Sequence, residues 1–279
     1  MSQGIIGFSQ IGDSNQPSPS VWSDCPNTLL GDKGLGYYVH QDFLGDYTTG
    51  ASAVPSGIVG DADAGSTFAQ ASSATYGPNV ISPAVTNTDN NALTLNTTEL
   101  GQIVRNSGKK VWAEVRMAVG ALGDSAFAFG LTTLANATRD IVADNPSNSA
   151  RAALTAASFI GFVSVQASSA LATVDAVYAK GTGTPVVVLT NVTNSAALTA
   201  AGLTPSNLVI NTFVKFGLRF DGNKTLYFYV NGVQVAKQEV DTTFDQSSYY
   251  VAAFNMKTGA ATAVTNYVDF IRAAAQVRS

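Results

Sequence analysis

Short runs in which apolar and polar residues alternate recur along the chain and predict β-strands. The run 110–117 is the clearest, because its odd-numbered positions are apolar while Trp112, Glu114 and Arg116 fall on the opposite face. The run 213–220 alternates in the same way. A period of two is typical of a strand that buries one face and leaves the other face accessible.

Turn signals between these runs predict antiparallel hairpins. Residues 221–224 (Asp-Gly-Asn-Lys) separate the runs 213–220 and 225–230, and Asn231-Gly232 follows the second run. Asn-Gly is a strong hairpin signal because both residues tolerate a positive φ. Many short strands bounded by turns, without the strand–helix rhythm of βαβ units, indicate a sandwich or a barrel.

The chain divides into two regions by its pattern. Residues 1–36 are rich in Gly, Ser, Pro and Asn and show no sustained period, so we predict an extended arm that is ordered only where it docks. Residues 37–279 form the predicted sandwich domain. Within it, the Ala-rich residues 149–158 are compatible with a short helix or a loop, and residues 191–208 with a polar loop carrying an Ala-rich patch.

The composition of the chain limits the kinds of molecule that it is expected to bind. Charged residues make up 12% and hydrophobic residues 46% of the chain, and the net charge is −4. A low charge density suits a surface that neighbouring subunits partly cover. The chain has no run of Lys or Arg, so nucleic acid and anionic membranes are not expected partners. The N-terminus lacks the features of a secretory signal, and we expect synthesis in the cytoplasm.

Segments of the chain resemble two groups of known proteins. Residues 213–236 resemble the concanavalin A-like jelly roll of lectins, laminin-G-type modules and glucanases. A second resemblance, to a set of phage virion proteins, extends over about 37–273. Five segments carry it in the same order: 38–44, 110–116, 127–131, 159–162 and 267–272.

The fold that these resemblances imply is an all-β, two-sheet antiparallel jelly-roll sandwich of the concanavalin A-like type, with an extended N-terminal arm. The implied function is that of a non-enzymatic decoration, or cement, protein on the capsid surface of a bacteriophage virion. Such a protein stabilises the shell by binding across capsomer junctions. The implied partners are the major capsid protein and further copies of this chain in a homotrimer. A carbohydrate-binding, lectin-like module, on a phage tail or free, is the alternative function.

The residues that could carry catalysis are few and dispersed. Jelly-roll glucanases need clustered carboxylates, because retaining hydrolysis uses two carboxyl groups about 5–5.5 Å apart. The glutamates of this chain, Glu99, Glu114 and Glu239, are far apart in sequence, and we expect Glu114 to be a salt-bridged structural residue. The single histidine, His40, lies at strand spacing from Asp42, and we interpret the two as a packed polar pair. We therefore predict no enzyme and no catalytic residue.

A metal and a glycan are the ligands that the sequence leaves open. Asp61 with Asp63, and Asp42 with Asp46, are candidate calcium ligands, although Asp-rich loops are commonly solvated turns and no EF-hand spacing is present. We predict no cofactor apart from this open possibility of calcium. Candidate glycan or interface aromatics complete the predicted site residues: Tyr227, Tyr229 and Trp112.

Overall fold

Two antiparallel sheets lie face to face and contain almost all of the regular structure. The structure, a computed structural model, describes residues 16–26, 34–43, 57–71, 73–76, 79–123, 125–143, 154, 158–166, 172–180, 185–241, 244, 246–259 and 261–277. The short helices in these ranges are α1 (Pro19–Trp22), α2 (Ser73–Tyr76) and α3 (Ala196–Ala200).

The first sheet joins strands from both ends of the chain. In spatial order its strands are β14 (Val233–Glu239), β13 (Thr225–Val230), β12 (Val214–Phe220), β7 (Val111–Val119), β16 (Val264–Gln276), β4 (Ile81–Val85) and β3 (Thr67–Gln70). Strand β1 (Gly36–Gln41) also pairs with β16. Asn231 and Gly232, which join β13 to β14, have φ angles of 49° and 81°, as the hairpin signal predicts.

The second sheet is made mainly of the central strands of the chain. Its order is β11 (Val186–Leu189), β10 (Ala172–Lys180), β9 (Ser158–Gln166), β8 (Ser125–Thr133), β15 (Tyr249–Thr258), β5 (Ala92–Thr97) and β2 (Ile58–Ala62). A short strand, β6 (Gly101–Gln102), also pairs with β15. The two sheets confirm the predicted all-β antiparallel sandwich.

Aromatic side chains fill the space between the sheets. The ring of Phe162 on β9 lies 5.0 Å from that of Phe216 on β12 and 5.7 Å from that of Phe228 on β13. Phe127 on β8 lies 6.0 Å from Phe216. All four side chains are buried, so the alternate apolar positions that predicted the strands form the core.

The outer face of the second sheet is covered by the segment that follows β8. Ile141 and Val142 are buried against apolar residues of β8, β9 and β10. The buried Asn255 on β15 fixes this segment, because its amide donates to the carbonyl of Arg139 at 2.9 Å and its Oδ1 accepts from the N–H of Val142 at 3.2 Å. Residue 154 also contacts this face, whereas most of 149–158 lies outside the described residues.

The segment 191–208 differs from its prediction as a loop. It contains α3 and a 3-10 turn, Val192–Asn194. The helix forms because Ala-Ala-Leu-Thr-Ala has favourable helix propensity and because Leu198 is buried against the core.

A pair of glycines marks the closest approach of two strands and gives a stability prediction. Gly130 on β8 and Gly161 on β9 are directly opposite, and a Cβ on Gly161 would lie 2.2 Å from the carbonyl oxygen of Phe129. We expect Gly161→Ala to lower the free energy of unfolding by about 1–3 kcal/mol, measured by denaturant unfolding, because the backbone must move. Val186→Ala is the control, since this side chain is 51% exposed on the edge strand β11 of the same sheet and its truncation requires no movement of the backbone. An equal loss in the two variants would contradict this interpretation.

Candidate functional site

The outer face of the first sheet is covered by residues 16–26, here called the covering segment. The segment contains α1, which begins with Pro19 after the extended Ser18, and the N–H of Val21 donates to the carbonyl of Ser18 at 3.1 Å. The side chain of Val21 is fully buried. It lies over Gly217 on β12, where a Cβ would lie only 2.7 Å from a methyl of Val21. The glycine therefore leaves the space that the segment needs.

A buried carboxylate, Glu114 on β7, holds the covering segment to the sheet. The backbone N–H of Ser18 donates to both of its carboxylate oxygens, at 3.1 and 3.0 Å. The indole Nε1–H of Trp22 donates to Oε2 at 2.7 Å. Burial raises the pKa of Glu114, while these hydrogen bonds and the charge of Lys215 oppose the rise without cancelling it.

Glu114 is bound by the covering segment and not by the strand neighbour that the sequence suggested. Arg116, its nearest cationic neighbour on β7, pairs instead with Asp269 on β16 at 2.8 Å. The hydrogen-bond donors to Glu114 come from Ser18 and Trp22, which are remote in sequence. The residue is structural, and its role is to bind the covering segment.

Asp24 makes a second attachment at the other end of the covering segment. Its carboxylate accepts from Lys110 Nζ at 2.9 Å and from the indole of Trp112 at 3.0 Å, and it lies 3.5 Å from Arg219. Burial raises the pKa of Asp24, but these three partners outweigh it and the net pKa lies below its ordinary value. The segment is thus anchored at two carboxylates.

An aromatic and cationic cluster lies between the two attachments. The guanidinium of Arg272 on β16 stands 4.3 Å from the ring centre of Trp22 and 5.1 Å from that of Tyr38. Cys25 is half-buried beside them, and burial raises the pKa of its thiol to about 11. A thiol with this pKa is protonated at neutral pH and is a poor nucleophile.

The predicted glycan or interface aromatics lie on this same face. Trp112 is fully buried and Tyr229 is 4% exposed. Tyr227 is half-buried, and the guanidinium of Arg219 stands 4.6 Å from its ring centre. A sugar ring could not stack on Trp112 in this arrangement, because the covering segment occupies the space above it. The use of these aromatics in binding another molecule stays a prediction.

His40 is packed among rings and charges. Its ring lies 6.4 Å from that of Tyr38 and 6.2 Å from that of Phe270. Burial and the charge of Arg272 lower its pKa, and Asp42 acts in the opposite direction. A histidine in this position is neutral near pH 7 and has a structural packing role.

An arginine binds two of the candidate calcium ligands, Asp61 on β2 and Asp63 just after it. Arg139 donates to Asp63 at 2.6 Å, and its Nε lies 3.4 Å from Asp61. The second oxygen of Asp63 accepts from the N–H of Ala92 at 2.8 Å. The guanidinium thus provides the positive charge next to these carboxylates. Asp46 lies outside the described residues, and in the described part of the chain no three metal-ligating side chains converge.

The chain matches no protein-family model and no curated protein, but solved structures share its fold. A protein of unknown function from Shewanella oneidensis MR-1 superposes with a TM-score of 0.52 at 11% identity, over 99% of this chain and 97% of that one. The CBM2 module of the evolved Dit of Lactobacillus casei BL23 phage J-1 has a TM-score of 0.50 at 11% identity, over 85% and 94%. Peanut lectin has a TM-score of 0.47 at 12% identity, over 87% and 100%.

These likenesses are of fold alone, and the shared fold is the predicted all-β sandwich of two antiparallel sheets. None of the helices in the described ranges has the length and apolar character needed to cross a bilayer.

The burial of Glu114 gives a stability prediction. We expect Glu114→Ala to lower the free energy of unfolding by about 3 kcal/mol or more, because it leaves the N–H groups of Ser18 and Trp22 without their acceptor. Denaturant unfolding followed by tryptophan fluorescence would measure this loss. Glu239→Ala is the control, since its carboxylate is exposed and pairs with the exposed Lys224; we expect a change within about 0.5 kcal/mol. A similar loss in both variants would rule out the anchoring role.

The direction of the pKa shift gives a pH prediction. The folded-state pKa of Glu114 is raised above its ordinary value of 4.5, so the folded protein holds this proton more tightly than the unfolded chain does. The contribution of Glu114 to the free energy of unfolding is therefore greatest below pH 4.5 and falls as the pH rises through the raised pKa. Because Glu114→Gln does not titrate, the unfolding free energy of the wild type minus that of Glu114→Gln should decrease with rising pH. A difference that increases with pH would contradict the shift.

Proposed function

We propose that this protein is a non-enzymatic structural protein of a phage particle, which decorates the capsid surface and stabilises the shell across capsomer junctions. Its partners would be the major capsid protein and further copies of itself, with a homotrimer as the expected assembly. The observation that best supports a structural role is that segments of the chain itself cover both outer sheet faces. The face where jelly-roll enzymes could place reacting groups is filled by residues 16–26.

The carboxylates on the covered face are committed to structural contacts. Glu114 is buried and hydrogen-bonded, Asp24 binds Lys110 and Trp112, and Asp269 binds Arg116. General acid–base hydrolysis of a glycosidic bond needs a pair of carboxyl groups that flank the substrate. Carboxylates that are already held in hydrogen bonds and ion pairs do not favour such a reaction, and this supports the proposal that the protein is not an enzyme.

The edges of the sandwich offer surface for association. Val59 on the edge strand β2 and Val186 on the edge strand β11 are 50% and 51% exposed. Val209 and Ile210 add a second exposed apolar pair. Apolar residues on a surface of low charge density suit contact with neighbouring subunits, and a stable interface buries about 1,200–2,000 Å² in total.

A decoration protein of this kind acts mechanically. Each copy would bridge neighbouring capsomers, so that separating them requires the loss of two interfaces rather than one. The anchored covering segment supports this role, because it adds two polar attachments, one of them buried, to a sandwich that must transmit load between neighbours.

The alternative function, a carbohydrate-binding module, requires a different surface from the one that the sequence suggests. Two of the three predicted aromatics, Trp112 and Tyr229, are buried under the covering segment. A glycan could reach them only if the segment left the sheet. The ring of Tyr227, the third aromatic, already has the guanidinium of Arg219 4.6 Å from its centre.

The copy number per particle tests the proposed function. We expect quantitative mass spectrometry of purified virions from the source to find this protein at a simple ratio to the major shell protein, such as one to one or one to three. A handful of copies per particle would place it on the tail instead. Absence from particles that contain the shell protein in full amount would disprove the proposal.

A further inference from the structure

A cleft opens at one end of the sandwich, where strands from both sheets meet. The first sheet contributes Tyr37 of β1 and Gln276 at the end of β16, which lie on paired strands. The second sheet contributes Gln102 of β6 and Tyr249 of β15, which are directly opposite each other. The cleft has a volume of about 220 Å³, and none of its lining residues belongs to the covering segment.

Its two tyrosines are the most exposed aromatic side chains of the described residues. Tyr249 is 53% exposed and Tyr37 is 48% exposed, whereas the other aromatic side chains of the described residues are buried or half-buried. An exposed tyrosine presents a rigid apolar ring with a polar tip, and it loses little conformational entropy when it binds. Two such rings at one cleft provide apolar faces against which the C–H groups of a sugar ring can pack.

The polar groups of the cleft are held in place by the backbone around it. Gln276 accepts from the N–H of Lys110 at 3.1 Å through its Oε1, which leaves its NH₂ group as the end that a ligand can use. Gln102 donates to the carbonyl of Ser247 at 2.7 Å, which leaves its Oε1 as an acceptor. A fixed donor and a fixed acceptor match hydroxyl groups, each of which can both donate and accept.

The other lining groups limit the class of ligand. Lys109 brings a positive charge, and no carboxylate lines the cleft among the described residues, which disfavours a metal ion or a cationic ligand. Gly101 lies in the lining with nothing within 4 Å of where a Cβ would stand, so the backbone leaves the cleft open there. Clefts for drug-sized ligands measure about 300–1,000 Å³, so this smaller one suits about one ring.

We infer that this cleft binds one pyranose ring of an oligosaccharide, packed on Tyr37 or Tyr249 and hydrogen-bonded by Gln102 and Gln276. This binding site is separate from the covered face of the first sheet. It is also independent of the proposed structural role, because a virion protein and a free module could equally use it.

The test is saccharide binding by the full-length protein. The probes are hexasaccharides of glucose, xylose, N-acetylglucosamine and galacturonic acid, each titrated by calorimetry and examined by saturation-transfer NMR. We expect saturable binding of at least one of them, weakened about ten-fold or more by Tyr37→Ala and by Tyr249→Ala. Both side chains are half exposed, and matching unfolding curves would show that the variants remain folded.

Val59→Ala is the control, because this side chain is 50% exposed on the edge strand β2 and does not line the cleft. We expect its affinity to stay within about two-fold of the wild type. Lys109→Gln distinguishes an acidic saccharide from a neutral one. It should weaken binding of the galacturonic acid oligomer and leave the affinity for the neutral oligomers unchanged. Binding of none of the four probes would overturn the inference, as would binding that only Val59→Ala weakens. Neither result would bear on the copy number in virions.

Discussion

The arrangement of the first sheet depends on one buried carboxylate and the segment that it holds. Glu114 is fully buried, and a carboxylate in that position is unfavourable unless hydrogen-bond donors compensate for the lost water. Ser18 and Trp22 supply those donors, so the covering segment and the carboxylate require each other. Without the segment, Trp112 and Glu114 would lie on an open face. The packing of the central strands of the first sheet therefore depends on the covering segment.

The covering of both outer faces explains how a shared fold can serve different functions. A jelly roll of this type can present an open sheet face to a ligand, but here residues 16–26 fill one face and residues 134–142 lie on the other. What stays accessible is the rim of the sandwich, including its edge strands and the cleft between Tyr37 and Tyr249. Fold alone does not set function, and the accessible groups decide what a molecule can bind.

The sequence predicted local structure well and long-range pairing poorly. Alternation placed a strand at 110–117, which is β7, and Asn231-Gly232 marked a hairpin that the φ angles confirm. These signals depend on neighbours in the chain. The bond from Ser18 to Glu114 joins residues 96 positions apart, and Arg139 meets Asp63 across 76 positions, so no local pattern could reveal them. The apolar residues scattered through the polar arm, Val21 and Trp22 among them, were the local sign that the arm docks.

The most direct test of this account is hydrogen exchange in the covering segment of the wild-type protein. The N–H groups of Ser18, Val21, Trp22 and Cys25 all donate hydrogen bonds to acceptors in the segment or on Glu114. The account predicts that these amides exchange far more slowly than in an unstructured peptide, as the strands do. Exchange at the rate of an unstructured peptide, with the strands still protected, would show that the segment does not cover the sheet.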